Sequence, residues 1–203
     1  MILYGASGHC KSVIDIAESI NQKILCIYDD TPKTDTIFEI PVKKFLSVNT
    51  ETDNNWVISI GNNNTRKILS SKLKVSFGRL LHKSASISSR SSLGLGTVVM
   101  ANTVINANVN IGEHCIINSG AVIEHDCVLN NFVHISPNSS LAGEVEVREG
   151  AHIGIGASVL QGIKIGKWAV IGAGAVVIRD VPDFAVVVGA PAKIIKYTEH
   201  NDN

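Results

Sequence analysis

The chain has 203 residues, with 18 Lys+Arg against 18 Asp+Glu, so its formal charge is zero. That balance leaves no electrostatic footprint for DNA, RNA or an acidic membrane surface, and no apolar run reaches membrane-spanning length. Hydrophobic residues make up 45% of the chain but aromatics only 5%, which excludes a disordered chain and gives the interior to aliphatic side chains. Met1 runs straight into Ile2-Leu3-Tyr4 without a signal-peptide pattern, and Cys10, Cys26, Cys115 and Cys127 show no paired spacing. Both features predict a reduced, cytoplasmic setting.

Residues 1–4 read as a short apolar strand that enters Gly5-Ala6-Ser7-Gly8-His9. An amphipathic helix from Lys11 to Ile20 follows, with Val13, Ile14, Ile16, Ala17 and Ile20 on one side. A second strand, Ile24 to Tyr28, ends in Asp29-Asp30. A third, Val57 to Ile60, ends in Gly61-Asn62 and leads into a helix over Asn64 to Leu73. Residues 31–55 read as a weakly defined crossover. This order predicts a small parallel-sheet, Rossmann-like α/β domain with ligands at the carboxyl ends of its strands. Gly5-x-x-Gly8 before a helix lets backbone N–H groups approach a pyrophosphate. Asp29 and Asp30 are of the type that takes a ribose or base edge. Glycine turns and solvated acidic strand ends are common too, but together the two features favour a nucleotide-bearing ligand.

A period of six begins at Ile87: Leu93, Val99, Ile105, Ile111, Ile117, Ile123, Leu129, Ile135, Leu141, Val147, Ile153, Val159, Ile165, Ile171, Val177. All sixteen positions are aliphatic, without insertion (177 − 87 = 15 × 6). A small or β-branched residue comes four positions later, as in Ala121, Cys127, Val133, Ser139 and Ala151. Neither a helical nor a strand period produces this pattern. It predicts a parallel β-helix with three six-residue sides per coil, slightly over five coils and roughly 25 Å tall at about 4.8 Å per coil. Gly94, Gly112, Gly154, Gly166 and Gly172 each follow an aliphatic residue, where a tight corner calls for positive φ. Arg179-Asp180-Val181-Pro182 reads as the exit from the coils, and Thr198 to Asn203 as a frayed polar end. The expected domains are 1–82 and 83–203.

Four of the seven histidines fall in the coils: His114, His125, His134 and His152. Glu124-His125-Asp126 sets a base between two carboxylates, either of which can fix its tautomer and raise its basicity. Strand neighbours face opposite ways, so both reach the ring only where a corner intervenes. His134 is half a coil on, so the two histidines meet only across neighbouring prisms. His152 is one coil from His134 and is placed to stack on it. Exposed imidazoles beside acids are also ordinary on a repeat surface. The gaps of 11, 9 and 18 residues lack the close pair of a metal site, so no metal is expected.

The hexads end in Gly189-Ala190-Pro191-Ala192-Lys193, behind a front unit carrying Ser7-Gly8-His9, Asp29-Asp30 and Ile60-Gly61-Asn62. In this combination the chain resembles the left-handed hexapeptide-repeat sugar acyltransferases, in the subgroup of nucleotide-amino-sugar N-acetyltransferases and sialic-acid O-acetyltransferase-like proteins. The resemblance implies a left-handed β-helix, a homotrimer with active sites between subunits, acetyl-CoA as co-substrate and a nucleotide-linked amino sugar as acceptor. It implies that His125 is the catalytic base and that Asp126, where the family usually has Glu, raises its basicity. Asn118 and Glu124 match positions near the amino sugar, and Ser7, Gly8, His9, Asp29, Asp30 and Gly61 match nucleotide contacts. His134 matches an acetyl-CoA contact near the thioester. Gly143, Ile155 and Ala173 match the pantetheine arm, with Ala173 where Gly is frequent, and Cys10 also replaces a frequent Gly. The implied activity is acetylation of the 4-amine of a UDP- or dTDP-linked 4-amino-4,6-dideoxy sugar for bacterial surface glycan or glycoprotein synthesis. A sialic-acid O-acetyltransferase and a non-catalytic nucleotide-sugar-binding trimer are the alternatives, and the second has no need of a base at His125.

Overall fold

The computed structural model describes residues 1–47 and 55–198. Its front domain runs β1 (Ile2–Tyr4), α1 (Gly8–Ser19), β2 (Cys26–Asp29), β3 (Thr36–Ile37), β4 (Ile40–Lys44), β5 (Trp56–Ile58) and α2 (Asn63–Lys72). The sheet order is β3-β4-β2-β1-β5, and β1 pairs in parallel with both β2 and β5. β1 is an apolar strand flanked on both sides, with all three residues buried. Asn62 starts α2 by accepting the Thr65 N–H at 2.9 Å, which satisfies one of the helix's orphan donors.

The expected crossover carries more structure than its sequence showed. β3 and β4 form an antiparallel hairpin, and β4 extends the sheet in parallel with β2. Only Ile37 and Val42 are buried there, so an edge with one thin apolar face left no periodic signal. The rest of that stretch, residues 48–54, lies outside the described residues.

The second domain is a left-handed parallel β-helix. Its first face runs from Ser86–Ile87 to Val176–Val177, its second from Ser92–Leu93 to Lys164–Ile165, and its third from Leu80–Leu81 to Ala185–Val188. Leu80–Leu81 thus already belongs to the coils, just ahead of the boundary expected at 82/83. Successive coils pair in steps of eighteen, as in Ile105↔Ile123, Ile111↔Leu129 and Ile117↔Ile135. The second residue of each two-residue strand points inward, so the aliphatic frame fills the prism, with Ile117, Ile123, Leu129 and Ile135 no more than 1% exposed.

The corner glycines require a correction. Gly94, Gly112, Gly154, Gly166 and Gly172 do not carry the positive φ; it falls three residues after each aliphatic position, at Gly96, Gly120, Gly150, Gly156, Gly162 and Gly174. Asn102, Asn108, His114, Asp126, Phe132, Asn138, Glu144 and Trp168 adopt it elsewhere. Gly94 is demanded by space instead, because a Cβ there would sit 2.5 Å from the Gly112 carbonyl carbon in the next coil.

The exit is later than the sequence implies. Val181 bridges Ile165, and Val170–Ile171 pairs with Val186–Val187, so the last coil closes in sixteen residues (187 − 171 = 16). Val181, Ala185 and Val187 still fill the interior. Shortening by two residues hid this coil from a strict period of six. Lys193–Tyr197 then folds back antiparallel on Ala185–Val188. Thr198, expected to fray, donates its N–H to Phe184 O at 2.8 Å, and the rest of the expected frayed end, residues 199–203, lies outside the described residues.

The two domains share a core. Cys10, Val13, Ile14 and Ala17 of α1 pack with Leu80, Val98, Met100 and Ile116 of the third face. The outward column Val98, Ile116, His134, His152, Val170 stacks in register under the front domain.

Candidate active site

Three clusters hold the candidate residues. The first lies at the carboxyl ends of β1, β2 and β5, which are adjacent and parallel, so their exit loops meet. Gly5 has φ +107, and a Cβ there would lie 2.3 Å from Ile60 Cγ1; only glycine fits. Asp29 Oδ2 accepts the Ala6 N–H at 2.8 Å and its Oδ1 the Thr31 N–H at 2.9 Å. The Asp29 carboxylate therefore shapes the glycine turn. Asp30 accepts from the Tyr4 hydroxyl at 2.5 Å, and burial, followed by this bond, raises the Tyr4 pKa. Ser7 is an exposed N-cap whose side chain caps nothing, and Gly8 has open space where a Cβ would stand. Gly61 is close by, its Cβ position 3.9 Å from His9 Cβ. This is a helix start with a free Ser7 side chain and open space at Gly8, the arrangement that receives anions.

The second cluster is the corner between the first and second faces. His125 and Asp126 occupy its turn, and the positive φ of Asp126 (62°) brings both side chains to the same outer edge. The expected corner does intervene. Asp126 Oδ2 lies 2.8 Å from His125 Nδ1, so one methylene less than Glu still reaches the ring. Glu124 is occupied elsewhere, accepting from Asn106 Nδ2 at 2.8 Å. His125 is 59% exposed along its side chain. The hydrogen bond to Asp126 is the main cause that holds the His125 pKa above its ordinary value, with Asp126, Glu124 and Glu144 adding negative charge. Gly143, one coil on, lies against the ring, with its Cβ position 2.7 Å from His125 Cε1 and 2.9 Å from Nε2. The missing side chain at Gly143 makes the room that the imidazole uses.

The third cluster is the junction between the domains. His134 stacks on His152 with centroids 4.7 Å apart and faces His9 at 6.4 Å. Asn118 Nδ2 lies 3.2 Å from His134 Nε2; an amide donating there places the ring proton on Nδ1. Burial pushes the His9 pKa down to about 4 and that of His134 to about 3, with Arg66 adding to both. His134 thus lies on the third face beneath the front domain, away from the corner that carries His125. Ile155 and Ala173, exposed and one coil apart, stand on the corner after the third face, whereas Gly143 stands on the corner after the first.

Arg66 on α2 was invisible to sequence reasoning. It is 1% exposed and makes five hydrogen bonds: Nε to His114 O at 2.7 Å, Nη1 to Ile60 O and Gly61 O at 3.1 Å each, and Nη2 to Asn63 Oδ1 and Phe132 O at 3.0 Å each. Burial lowers its pKa to about 10, so it remains charged at neutral pH. Asn63 adds Nδ2 contacts to Gly150 O at 3.0 Å and Ala151 O at 3.3 Å. Nothing in the local pattern Asn62-Asn63-Asn64-Thr65-Arg66 marks that arginine as buried.

Among the described residues, no three His, Cys, Asp or Glu side chains are grouped to hold a metal ion, and no helix is long and apolar enough to cross a membrane. The described structure leaves all four cysteines free and buried.

Fold and site together define a hexapeptide-repeat acyltransferase with a nucleotide-type front domain. Residues 1–73 match the model of the PglD N-terminal domain family. The chain is 36% identical to a histidine-to-alanine mutant of GDP-perosamine N-acetyl transferase from Caulobacter crescentus, solved in complex with CoA and GDP-perosamine, over 96% of both chains with a TM-score of 0.89. It is 32% identical to the acetyltransferase domain of PglB from Neisseria gonorrhoeae in complex with acetyl coenzyme A, over 96% of this chain and 98% of that one, TM-score 0.89. WeeI from Acinetobacter baumannii is 28% identical over 96% and 98%, TM-score 0.88. A comparison with curated proteins gave no match. The chain belongs to the hexapeptide-repeat sugar acyltransferases, in the subgroup of the nucleotide-amino-sugar N-acetyltransferases, and is an acyltransferase.

Proposed function

We propose that the chain transfers an acetyl group from acetyl-CoA directly to the 4-amine of a nucleotide-linked 4-amino-4,6-dideoxy sugar, in the cytoplasm, for bacterial surface glycan or glycoprotein synthesis. The observation that carries this reading is the His125–Asp126 pair on an exposed corner, with Nδ1 engaged at 2.8 Å. That bond keeps the ring proton on Nδ1 and leaves the Nε2 lone pair for the substrate. The amine attacks the thioester carbonyl and its proton passes to His125 Nε2. The tetrahedral oxyanion then collapses, the C–S bond breaks, and the CoA thiolate takes the proton back from the imidazolium. General-base help of this kind is worth about 10²–10⁴-fold. The oxyanion needs fixed donors; the Gly143 N–H, which makes no hydrogen bond among the described residues, is a candidate.

Ser7, Gly8, His9 and Gly61 are assigned to the phosphates, Asp30 to the nucleoside, and Asp29 to holding the turn. Asn118 and Glu124 are assigned to the amino sugar, and His134 to the thioester end of acetyl-CoA. Gly143, Ile155 and Ala173 are assigned to the pantetheine arm. Gly143 stands on a different prism corner from Ile155 and Ala173, and His134 on a third face, so one arm reaches all of them only between adjacent prisms. This supports a homotrimer with shared sites.

UDP or dTDP is the proposed nucleotide, and GDP joins the test because the Caulobacter relative was solved with GDP-perosamine. Thiol release from acetyl-CoA is measured against GDP-, UDP- and dTDP-linked 4-amino sugars and sialic acids. Turnover with a 4-amino nucleotide sugar supports the reading. Turnover with sialic acids alone, or with none of the panel, refutes it.

A further inference from the structure

The catalytic corner rests on a layer of asparagines one coil below. Asn108 and Asp126 occupy equivalent turn positions eighteen residues apart, both with positive φ, 65° and 62°. Asn108 Nδ2 donates to Asp126 Oδ1 at 3.0 Å, while Asp126 Oδ2 accepts from His125 Nδ1 at 2.8 Å. Both carboxylate oxygens are therefore engaged, one by the coil below and one by the base. Asn106 does the same for the other carboxylate, holding Glu124 Oε2 at 2.8 Å. Two acids flank one imidazole, and the asparagines decide between them: Glu124 is tied down and Asp126 is aimed at the ring.

We infer that Asn108 is a positioning residue for the acyl-transfer base, acting through Asp126 to keep the His125 Nδ1 bond formed. The inference rests on the general-base reading of His125 given above. A short aspartate at position 126 has little freedom to find the ring alone, since its side chain has only two torsions and its backbone is held in the left-handed region. An amide anchored in the coil below fixes the remaining rotation. The Asn108 bond is the main cause that holds the Asp126 carboxyl below its ordinary range, with the His125 bond next. The charged and titratable groups facing the imidazole are Asp126, Glu124 and Glu144, and of these Asn108 hydrogen-bonds Asp126.

The test uses Asn108→Gly and Asn108→Asp. Both residue types accept positive φ, so the turn is kept. Asn108→Gly removes the donor; Asn108→Asp keeps the shape but sets a carboxylate against Asp126. The midpoint of His125 is read from its ring resonances in the free protein, alongside kcat and the melting temperature. Without the anchor, the His125 midpoint in Asn108→Gly falls toward 6.5 and kcat drops by about tenfold, the order of one charge-assisted hydrogen bond. Asn108→Asp loses at least as much kcat, although its shape is conserved. The inference is overturned if Asn108→Asp retains wild-type kcat, or if the His125 midpoint stays put while only the melting temperature falls. The ring titration needs no substrate, so it answers the positioning claim even where the substrate panel refutes the acetyl-transfer reading.

Discussion

Two sets of histidines sit on the same β-helix and are driven in opposite directions. His125 stands on an open corner beside carboxylates, and its basicity is raised. His134 stands on the third face, in a column shared with Val98, Ile116, His152 and Val170, beneath a helix and near a buried arginine, and its basicity collapses. The repeat gives them different backbone places: His125 sits in a corner turn two residues after the inward Ile123, and His134 in a strand just before the inward Ile135. What separates them is that place in the hexad, the side of the prism on which it falls, and what covers that side. A histidine kept neutral at all ordinary pH serves packing and hydrogen bonding; one held above 6.5 by an anchored carboxylate can pick up a proton and return it.

The comparison breaks most visibly at the base itself. His125→Ala is expected to lower kcat by about 10²–10⁴-fold while CoA binding, followed by calorimetry, persists. Gly143→Ala comes next. Its new methyl would occupy the space of the His125 ring, and a displacement on the order of 1 Å costs about 10²-fold in turnover. The expected signature is a fall in kcat with little change in urea stability, because the ring can swing outward.

Arg66→Met acts on the other side of the comparison. It leaves the carbonyls of His114, Phe132, Ile60 and Gly61 without their buried donor, with an expected loss on the order of 3 kcal/mol in urea unfolding. In protein that remains folded, the His125 midpoint should be unmoved. A shifted His125 midpoint in Arg66→Met would show that the two histidine sets are coupled, against the present account.

Much of this architecture is legible in the residues. An interior that must be filled once every six positions writes itself as Ile, Leu and Val in an unbroken frame, and Glu124-His125-Asp126 stands out against it. The front domain is legible where strands are buried throughout, as in Ile2-Leu3-Tyr4, and fades at β3 and β4, where one face touches the core. Positive φ is not marked by glycine alone, because Asn, Asp and His also occupy it, and several glycines answer to the closeness of the next coil instead. Arg66 is hidden because its partners are backbone carbonyls, which leave no trace in sequence. Asn108 lies one coil below Asp126 and is reached by subtracting eighteen, once the coil length is known.

The central claim is that the acyl-transfer base is the exposed histidine and not a buried one. It is tested most directly by comparing the acid limb of kcat/KM, which reports the essential base in the free enzyme, with site-resolved ring titrations of His125 and His134. A general base works only when unprotonated, so activity must fall as pH drops through its pKa. The account predicts an acid limb above 6.5 that coincides with the His125 titration, while His134 remains neutral down to about 3. An acid limb near 3 to 4, following the buried histidines while His125 titrates above 6.5, would contradict it.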